Sequence, residues 1–246
     1  MVLASGKTNS KTRTAIIEAA GKIFAEEGYL KATVRDICSS AGANLAAVNY
    51  YFGDKKGLYL SVLKYYQEMA FQAYPPDLGI RASQKPEEKL KIYIRMFLKR
   101  IMDDGRPVWF GRLLAREFSE PTCALDVLVN ETIRPSFQLL TEIVADVLGK
   151  TPREKMVRLC SMSIVGQCLY FRHSQPIMTR IYPEATFGAE QIDEITEHIA
   201  SFSIGGLRKA QQSARVKKCK KDNAPFFNRL DSVCRRFGAG RRNGLV

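Results

Sequence analysis

The chain of 246 residues has little of the chemistry on which most enzymes and metal sites depend. It contains one tryptophan, two histidines and six cysteines, and no two cysteines form a CxxC pair. Zinc sites need closely spaced cysteine and histidine ligands, so this pattern predicts no metal site. No glycine-rich phosphate loop occurs, and no Cys–His pair has a supporting oxyanion motif. We therefore expect a protein that is not an enzyme and that uses no cofactor.

Long apolar runs are also absent. No run approaches the about 18 residues that a membrane-spanning helix needs. The first residues, MVLASGKTNSKTR, contain no apolar stretch of signal-peptide length. These absences predict a cytoplasmic protein with reduced thiols and no membrane partner.

Proline is missing from the first 74 residues, and all ten prolines follow from Pro75 onward. Because proline is tolerated in the first turn of a helix and disfavoured in its interior, these prolines mark helix starts and loops. Between them, apolar residues recur at helical spacing, as at Ile16, Ala20, Ile23 and Phe24. No convincing strand alternation occurs, so we predict an all-α fold.

Four helices are predicted before the loop YPPDLGIRASQKP. Gly28 ends the first, Thr33 caps the second, Gly42 ends the second, and Asp54 caps the fourth, which follows a third helix over 44–52. The remaining helices are predicted at roughly 86–103, 106–118, 122–148, 152–173 and 189–208. The sequence therefore indicates a small N-terminal helical domain followed by a larger one.

A helix that ends at Gly42, a short turn and a second short helix have the spacing of a helix-turn-helix. A helix that enters the major groove brings its backbone close to the bases, which excludes bulky outward side chains. Val48 and Ala43 are expected to hold the turn against the first two helices. Asn49 is expected to bind adenine. Ala46 and Ala47 are expected to contact thymine methyl groups.

The residues predicted to contact DNA form one set, in which Thr33, Tyr51 and Lys55 bind phosphate and the others face the groove or its walls. This set is Thr33, Asn44, Leu45, Ala46, Ala47, Asn49, Tyr50, Tyr51 and Lys55. The spacing alone also fits a three-helix core that binds no DNA, and this alternative stays open.

The residues themselves add a resemblance. The stretch TRTAIIEAAGKIFAEEGYLKATVRDICSSAGANLAAVNYYFGDKKGLY resembles the TetR family of bacterial transcriptional regulators. The stretches REFSEPTCALDVLVNETIRPSFQLL and SIVGQCLYFRHSQPIMTRIYPE are similar to the regulatory domain of its CecR-type branch. The resemblance implies a homodimer on a palindromic operator, usually a repressor, that a small-molecule effector releases. Many members carry other residues at Leu45 and Asn49, so no operator sequence carries over.

We divide the chain at its loops and composition shifts. Residues 1–57 form the helix-turn-helix DNA-binding domain, 58–85 the connecting helix and loop, and 86–210 the effector-binding and dimerisation domain. Residues 211–246 hold ten Lys and Arg against two Asp, out of a net charge of +13 for the chain. Such a basic, weakly apolar tail is predicted to be disordered.

A small-molecule site in the larger domain is expected among its aromatic and polar interior residues. The candidates are Tyr93, Phe97, Trp109, Leu113, Phe137, Gln167 and Cys168. Aromatic residues at helical spacing more often form a core, and that alternative stays open. Pro135 should kink the 122–148 helix, and Arg134 beside it is either a contact for an anionic ligand or a surface charge.

Two helices of the larger domain indicate a dimer. From Met156 to Phe171 the apolar residues surround the helix, which predicts burial on all sides. The last helix has a narrow apolar seam that would be an exposed patch on a single chain. The predicted dimer interface is Ile192, Ile195, Ile199 and Phe202.

These observations predict a homodimeric, ligand-responsive repressor on a palindromic DNA operator. Two alternatives stay open. The first is a transcriptional activator with the same fold. The second is a protein that binds nucleic acid without sequence preference through its basic tail.

Overall fold

A computed structural model of the chain describes residues 3–102, 105–184 and 189–213, and in these ranges every regular element is a helix, as predicted. A π-helix at Val129–Ile133 joins α7 to α8, and a 3-10 turn at Ala189–Gln191 precedes α11. The α-helices are α1 (Leu3–Lys31), α2 (Val34–Ala41), α3 (Leu45–Phe52), α4 (Lys55–Ala73), α5 (Pro86–Met102), α6 (Val108–Ser119), α7 (Cys123–Leu128), α8 (Arg134–Leu148), α9 (Lys155–His173), α10 (Gln175–Ile181) and α11 (192–213). None of the helices described here has the length and low charge needed to cross a bilayer. The predicted disorder of the basic tail falls on residues from 214 onward, which lie outside the described ranges.

Helices α1 to α4 pack around one core, with their ends where the capping residues predict them. Gly42 takes a left-handed conformation with φ 60°, and its N–H donates to the carbonyls of the last turn of α2. The Asp54 carboxylate accepts the Gly57 N–H at 2.7 Å and so begins α4. Helix α1 breaks at Gly28, where φ is 84°. The fully buried residues of this core include Ile16, Phe24, Ile37, Val48, Leu58 and Val62.

A second core lies between α5, α8, α9 and α11. Its buried residues include Leu90, Ile94, Leu98, Leu140, Val144 and Ile164. Helix α9 begins at Lys155 and not at 152, because residues 152–154 form a turn in which Glu154 accepts the Thr151 N–H. Helix α10 was not predicted.

The predicted kink at Pro135 takes the form of a π-helical turn. Pro135 lies in the first turn of α8, where its ring lacks an N–H and crowds the carbonyl four residues earlier. The turn that precedes it widens over Val129–Ile133, and the Arg134 N–H donates to the Val129 carbonyl. From this π-turn Glu131 binds Lys64 of α4 at 2.6 Å, so the turn contacts the helix that leads to the N-terminal domain.

Helix α6 packs along α1 and thereby joins the two domains. A Cβ atom added to Gly21 would lie 2.0 Å from the Trp109 ring, so the ring occupies the space that a side chain at this position would need. Trp109 also meets Tyr66 of α4 edge to face, with ring centroids 4.9 Å apart. The prediction that Trp109 and Leu113 line the interior of the larger domain is therefore wrong, since both belong to the N-terminal core.

The apolar seam of α11 faces its own chain. Ile192, Ile195 and Ile199 are at most 7% exposed and belong to the second core, so the prediction that they form a dimer interface is wrong. Periodicity indicates that a face is buried but not which chain buries it. Phe202 of the same predicted set is 69% exposed.

Helix α9 is predicted to be buried on all sides, with a partner chain contributing to a four-helix interface. On the single chain, Leu159, Met162 and Tyr170 are 49–61% exposed. Only one face of α9, with Val157, Ile164 and Cys168, enters the core of the chain. An uncovered apolar face therefore remains on this helix.

We expect Gly21→Ala to weaken the junction between α1 and α6, because a methyl group at this position overlaps the Trp109 ring. Overpacking of this kind costs about 1–3 kcal/mol of unfolding free energy. Chemical denaturation measures that loss, and emission from the single tryptophan should shift to the red as the ring becomes exposed. Adding Trp109→Leu should relieve the overlap and recover most of the lost stability. An unchanged emission spectrum in Gly21→Ala would contradict this account of the junction.

Candidate nucleic-acid interface and regulatory domain

Helix α3 presents a small, mostly uncharged outer surface. Val48 is fully buried, and this anchors the helix against α1 and α2. On the opposite side Leu45 is 58% exposed and Tyr50 is 76% exposed, and Ala46 and Asn49 are also exposed. A short helix with one buried anchor and a low outer surface can approach the base edges of a major groove.

The two ends of α3 are fixed by local hydrogen bonds. The Asn44 side chain accepts the Ala47 N–H at 2.9 Å, so its oxygen caps the helix and only its amide N–H groups are left for another partner. Ala47 is half-buried against the core, in contrast to its predicted place at the groove. Arg13 of α1 lies over the Phe52 ring at 5.5 Å and ties the end of α3 to α1.

The residues predicted to bind phosphate surround α3, but they differ in exposure and in whether their polar groups already have partners in the chain. Thr33 caps α2 and its hydroxyl donates to Asp36. Tyr51 is half-buried against the core. The Lys55 ammonium donates to the Leu30 carbonyl at 3.2 Å and lies over the Tyr29 ring. Its neighbour Lys56 is exposed in the first turn of α4, and the lysine pair in the sequence was the signal that could have identified it.

The seven residues predicted to bind an effector are not brought together. Trp109 and Leu113 lie at the domain junction, whereas Tyr93, Phe97 and Cys168 lie in or against the second core. Phe137 is half-buried on α8. Gln167 faces α11, where its amide donates to the Ser203 hydroxyl at 3.2 Å.

Two of the residues in the second core, Tyr93 and Cys168, carry buried polar groups. The Tyr93 hydroxyl lies 3.1 Å from both the carbonyl and the hydroxyl of Ser136. Burial raises the pKa of Tyr93, and it raises the pKa of Cys168 to about 12, so both groups are neutral at pH 7. Arg134, the other candidate, is exposed and donates to Asn130, which favours its alternative as a surface charge.

A buried hydrogen-bond network lies at the junction of the domains. Tyr59 of α4 donates to the Glu117 carboxylate of α6 at 2.7 Å, and both residues are at most 3% exposed. The Thr122 N–H and hydroxyl also donate to Glu117, at 2.9 Å and 3.0 Å. Burial, followed by the bond to Glu117, raises the pKa of Tyr59. The network fixes α4 against the turn between α6 and α7.

An open cleft of about 940 Å³ lies next to this network. It is bounded by the last turn of α1, by Tyr59, and by the turn between α6 and α7. The Arg116 side chain crosses it to Gly28, where an added Cβ atom would lie 2.3 Å from the guanidinium. The cleft therefore separates the broken end of α1 from the regulatory domain.

Two sequence profiles match the chain in tandem. The profile described as "Bacterial regulatory proteins, tetR family" matches residues 16–62, within α1 to α4. The profile described as "HTH-type transcriptional dual regulator CecR, C-terminal domain" matches residues 86–207, from α5 into α11. Residues 63–85, which comprise the rest of α4 and the loop after it, lie between the two matches.

Relatives of known name match over different lengths. The HTH-type transcriptional dual regulator CecR of Shigella flexneri is 27% identical over 165 residues, which cover 64% of this chain and 74% of that protein. The HTH-type transcriptional repressor AcnR of Corynebacterium glutamicum is 38% identical over 64 residues, which cover 26% of this chain and 34% of AcnR. These relatives are transcriptional regulators and not enzymes, in agreement with the sequence.

Solved structures share the fold. The fatty acid degradation regulator FadR from Bacillus halodurans has a TM-score of 0.55 at 22% identity, with 78% of this chain and 98% of that chain covered. AibR, in complex with isovaleryl coenzyme A and operator DNA, has a TM-score of 0.53 at 16% identity, with 79% and 96% covered. At these identities the likeness is one of fold.

We expect Tyr59→Phe to destabilise the protein by about 1–3 kcal/mol, because the buried Glu117 carboxylate loses one of its donors. Urea denaturation of the full chain measures the loss. Tyr65→Phe, on the same helix but half-buried, is the matched control and should change stability little. Equal losses of unfolding free energy in the two variants would show that the hydrogen bond from Tyr59 to Glu117 adds no stability beyond that of the Tyr65 hydroxyl.

Proposed function

Because the chain belongs to the TetR family of DNA-binding transcriptional regulators, with a C-terminal domain of the CecR type, we propose that it is a homodimeric repressor which leaves a palindromic operator when a small-molecule effector binds its C-terminal domain. The observation that carries the proposal is the outer face of α3. That face is exposed, almost uncharged and made mostly of small side chains. It belongs to a helix that is fixed at both ends.

In the proposed complex, α3 lies in the major groove. Asn49 is its exposed amide, and a side-chain amide can bind adenine through two hydrogen bonds. Leu45 and Ala46 offer apolar contact to thymine methyl groups. The ammonium of Lys56, exposed at the start of α4, is placed to bind phosphate and so to fix the register.

The uncovered faces of α9 and α11 support the dimer. On α9, Leu159, Met162, Gly166 and Tyr170 follow one another at steps of three and four residues and are all exposed. On α11, Phe202 is followed by Gly205 and Gly206, which are also exposed. The Gln167–Ser203 hydrogen bond places the two stripes side by side.

The glycines in these stripes support the packing of this surface against another chain. A Cβ atom added to Gly166, Gly205 or Gly206 would meet nothing within 4 Å in the same chain. A glycine inside a helix costs about 1 kcal/mol relative to alanine, so a packing reason is expected outside the chain. A second copy that brings its own α9 and α11 against these stripes would form a symmetric four-helix interface. Of the four interface residues predicted from the sequence, the proposed interface retains Phe202. The exposed residues of α9 take the place of Ile192, Ile195 and Ile199, which are buried in their own chain.

Such a dimer sets the spacing of the two α3 helices. A two-fold axis through the interface presents both helices to one side of the duplex, where major grooves recur about 34 Å apart. An effector would release the DNA by favouring an arrangement in which the two helices no longer match that spacing. A coupling of about 1–3 kcal/mol between effector and operator is sufficient.

The connections between the domains support this coupling. Trp109 on Gly21, Tyr59 on Glu117 and Lys64 on Glu131 each join the regulatory helices to α1 or α4. The AibR structure contains both a coenzyme A ester and operator DNA, so a protein of this fold accommodates a small molecule together with DNA. We propose the same division of labour for this chain.

We expect Asn49→Ala to reduce affinity for duplexes from the gene's own upstream region by about tenfold or more, because a bidentate contact to a base contributes about 1–3 kcal/mol. Fluorescence anisotropy across a salt series measures the affinity, with scrambled duplexes as the reference. Asn130→Ala, the same substitution on the regulatory domain, is the control.

A form that ends at Ser213 separates α3 from the basic tail. It keeps Gln211, whose amide donates to the Val147 carbonyl, so α11 retains its contact with α8. The proposal requires this form to keep its preference for the upstream duplex. Binding that is blind to sequence and lost on truncation would instead identify the tail as the binding element.

We expect Leu159→Glu to convert the dimer to monomers, because the interface would bury two carboxylates without partners. Light scattering on a size-exclusion column measures the mass. Leu30→Glu is the matched control, since Leu30 is 88% exposed on α1, away from α9. A Leu159→Glu protein that remains dimeric would exclude this surface as the interface.

A further inference from the structure

Arg100 is the most unusual charge in the regulatory domain. It lies in the last turn of α5 and is only 4% exposed. Its Nη1 donates to the Tyr74 carbonyl at 2.7 Å, at the end of α4. Its Nη2 is also buried, but it has no hydrogen-bond partner. A buried cation with an unused donor is costly to the fold and calls for a reason.

No negative charge compensates Arg100 in the part of the chain that the structure describes. None of the five ion pairs found there includes it. Of the ionisable groups that act on it, Tyr93 and Cys168 are neutral, and Arg106 repels it. Burial lowers the pKa of Arg100 to about 10, so it is still charged at pH 7.

The other contacts of Arg100 are to aromatic rings. Its guanidinium lies 4.8 Å from the centre of the Phe71 ring and 5.6 Å from that of Phe97. Cation–π contacts stabilise a guanidinium but leave its charge in place. Among the described residues, the surroundings of Arg100 therefore combine aromatic side chains with a positive charge that no acidic group pairs with.

Two neighbouring arginines also bind backbone carbonyls. Arg106 donates to the Arg100 carbonyl, and Arg172 of α9 donates to the Ile101 carbonyl at 3.0 Å. Both bind the carbonyl end of α5, where the helix dipole favours a cation. Arg100 uses its Nη1 in this way at the end of α4, while its buried Nη2 has no hydrogen-bond partner.

We propose that Arg100 binds the anionic group of the effector, and that the effector is a carboxylate with an apolar or aromatic body. A carboxylate matches the planar donor edge of a guanidinium, and it would satisfy both the charge and the unused donor. The body would lie among the aromatic residues around Phe71, Phe97 and Tyr93. This inference rests on the proposed function, because it names the chemical class of its effector.

The same residue gives the anion a route to the DNA-binding domain. Arg100 holds the last carbonyl of α4 and lies on Phe71 of that helix. A carboxylate that draws the guanidinium toward itself changes this hold at one end of α4. The other end of α4 packs against α3, so a shift of α4 alters the position of the reading helix.

The test uses the full chain and two pairs of probes, octanoate with octanamide and phenylacetate with phenylacetamide. Within each pair the shape is similar and the charge differs. Thermal unfolding and titration calorimetry at matched ionic strength measure binding without DNA. We expect at least one carboxylate to raise Tm while its amide does not, and we expect Arg100→Gln to weaken that carboxylate's binding about tenfold or more. Arg95→Gln is the control, since Arg95 is on the same helix but pairs with Asp193 at the surface.

Each outcome decides the inference. Equal binding of carboxylate and amide, an Arg100→Gln protein that still prefers the carboxylate, or no binding of either carboxylate at millimolar concentration overturns it. A carboxylate that binds through Arg100 but does not release the operator supports the site and contradicts the proposed regulation. Operator release by the amides, with Arg100→Gln unaffected, leaves the regulation standing and removes the site.

Discussion

The packing of Trp109 against Gly21 is the contact on which communication between the domains depends. The indole ring occupies the space of the missing side chain, so α6 lies close enough to α1 to share its core. About two turns further along α6, the buried Glu117 carboxylate accepts a hydrogen bond from the Tyr59 hydroxyl of α4. Helix α6 therefore packs against both α1 and α4, the helices that support α3. A movement of the C-terminal helices reaches α1 and α4 through these rigid contacts.

Two charged residues, Glu117 and Arg100, are buried in the part of the chain that the structure describes, and their polar atoms are satisfied to different degrees. Glu117 is fully buried, but three donors from Tyr59 and Thr122 satisfy it, as a structural ion requires. Arg100 is almost as buried, yet one of its nitrogens has no partner. Completed networks rigidify a fold, whereas an incomplete one marks a place where a ligand can contribute the missing group. We therefore propose different roles for the two regions. The region around Arg100 binds the effector, and the Glu117 network at the junction transmits the resulting movement to the DNA-binding domain.

Much of the N-terminal domain could be predicted from the sequence because its signals are local. Gly42, Asp54 and Val48 act within a turn or two of their own positions, and the structure places them as expected. The partners of α6 and α11 could not be predicted, since the spacing of Trp109 or Ile199 indicates burial without saying against what. Arg100 did leave a signal: it lies seven residues after Tyr93 and three after Phe97, on the apolar face of α5, where a charge is unexpected.

The proposed dimer surface and the proposed anion site meet at the end of α5. Arg172 belongs to α9, whose outer face carries Leu159 and Gly166, and its inner contact is the Ile101 carbonyl next to Arg100. Arg100 in turn holds the end of α4. A helix of the interface and the helix that carries the DNA-binding domain are thus fixed to adjacent residues of one turn. Because a partner would hold α9 in the proposed dimer, a change at Arg100 would move α4 relative to that fixed partner, and so change the distance between the two α3 helices.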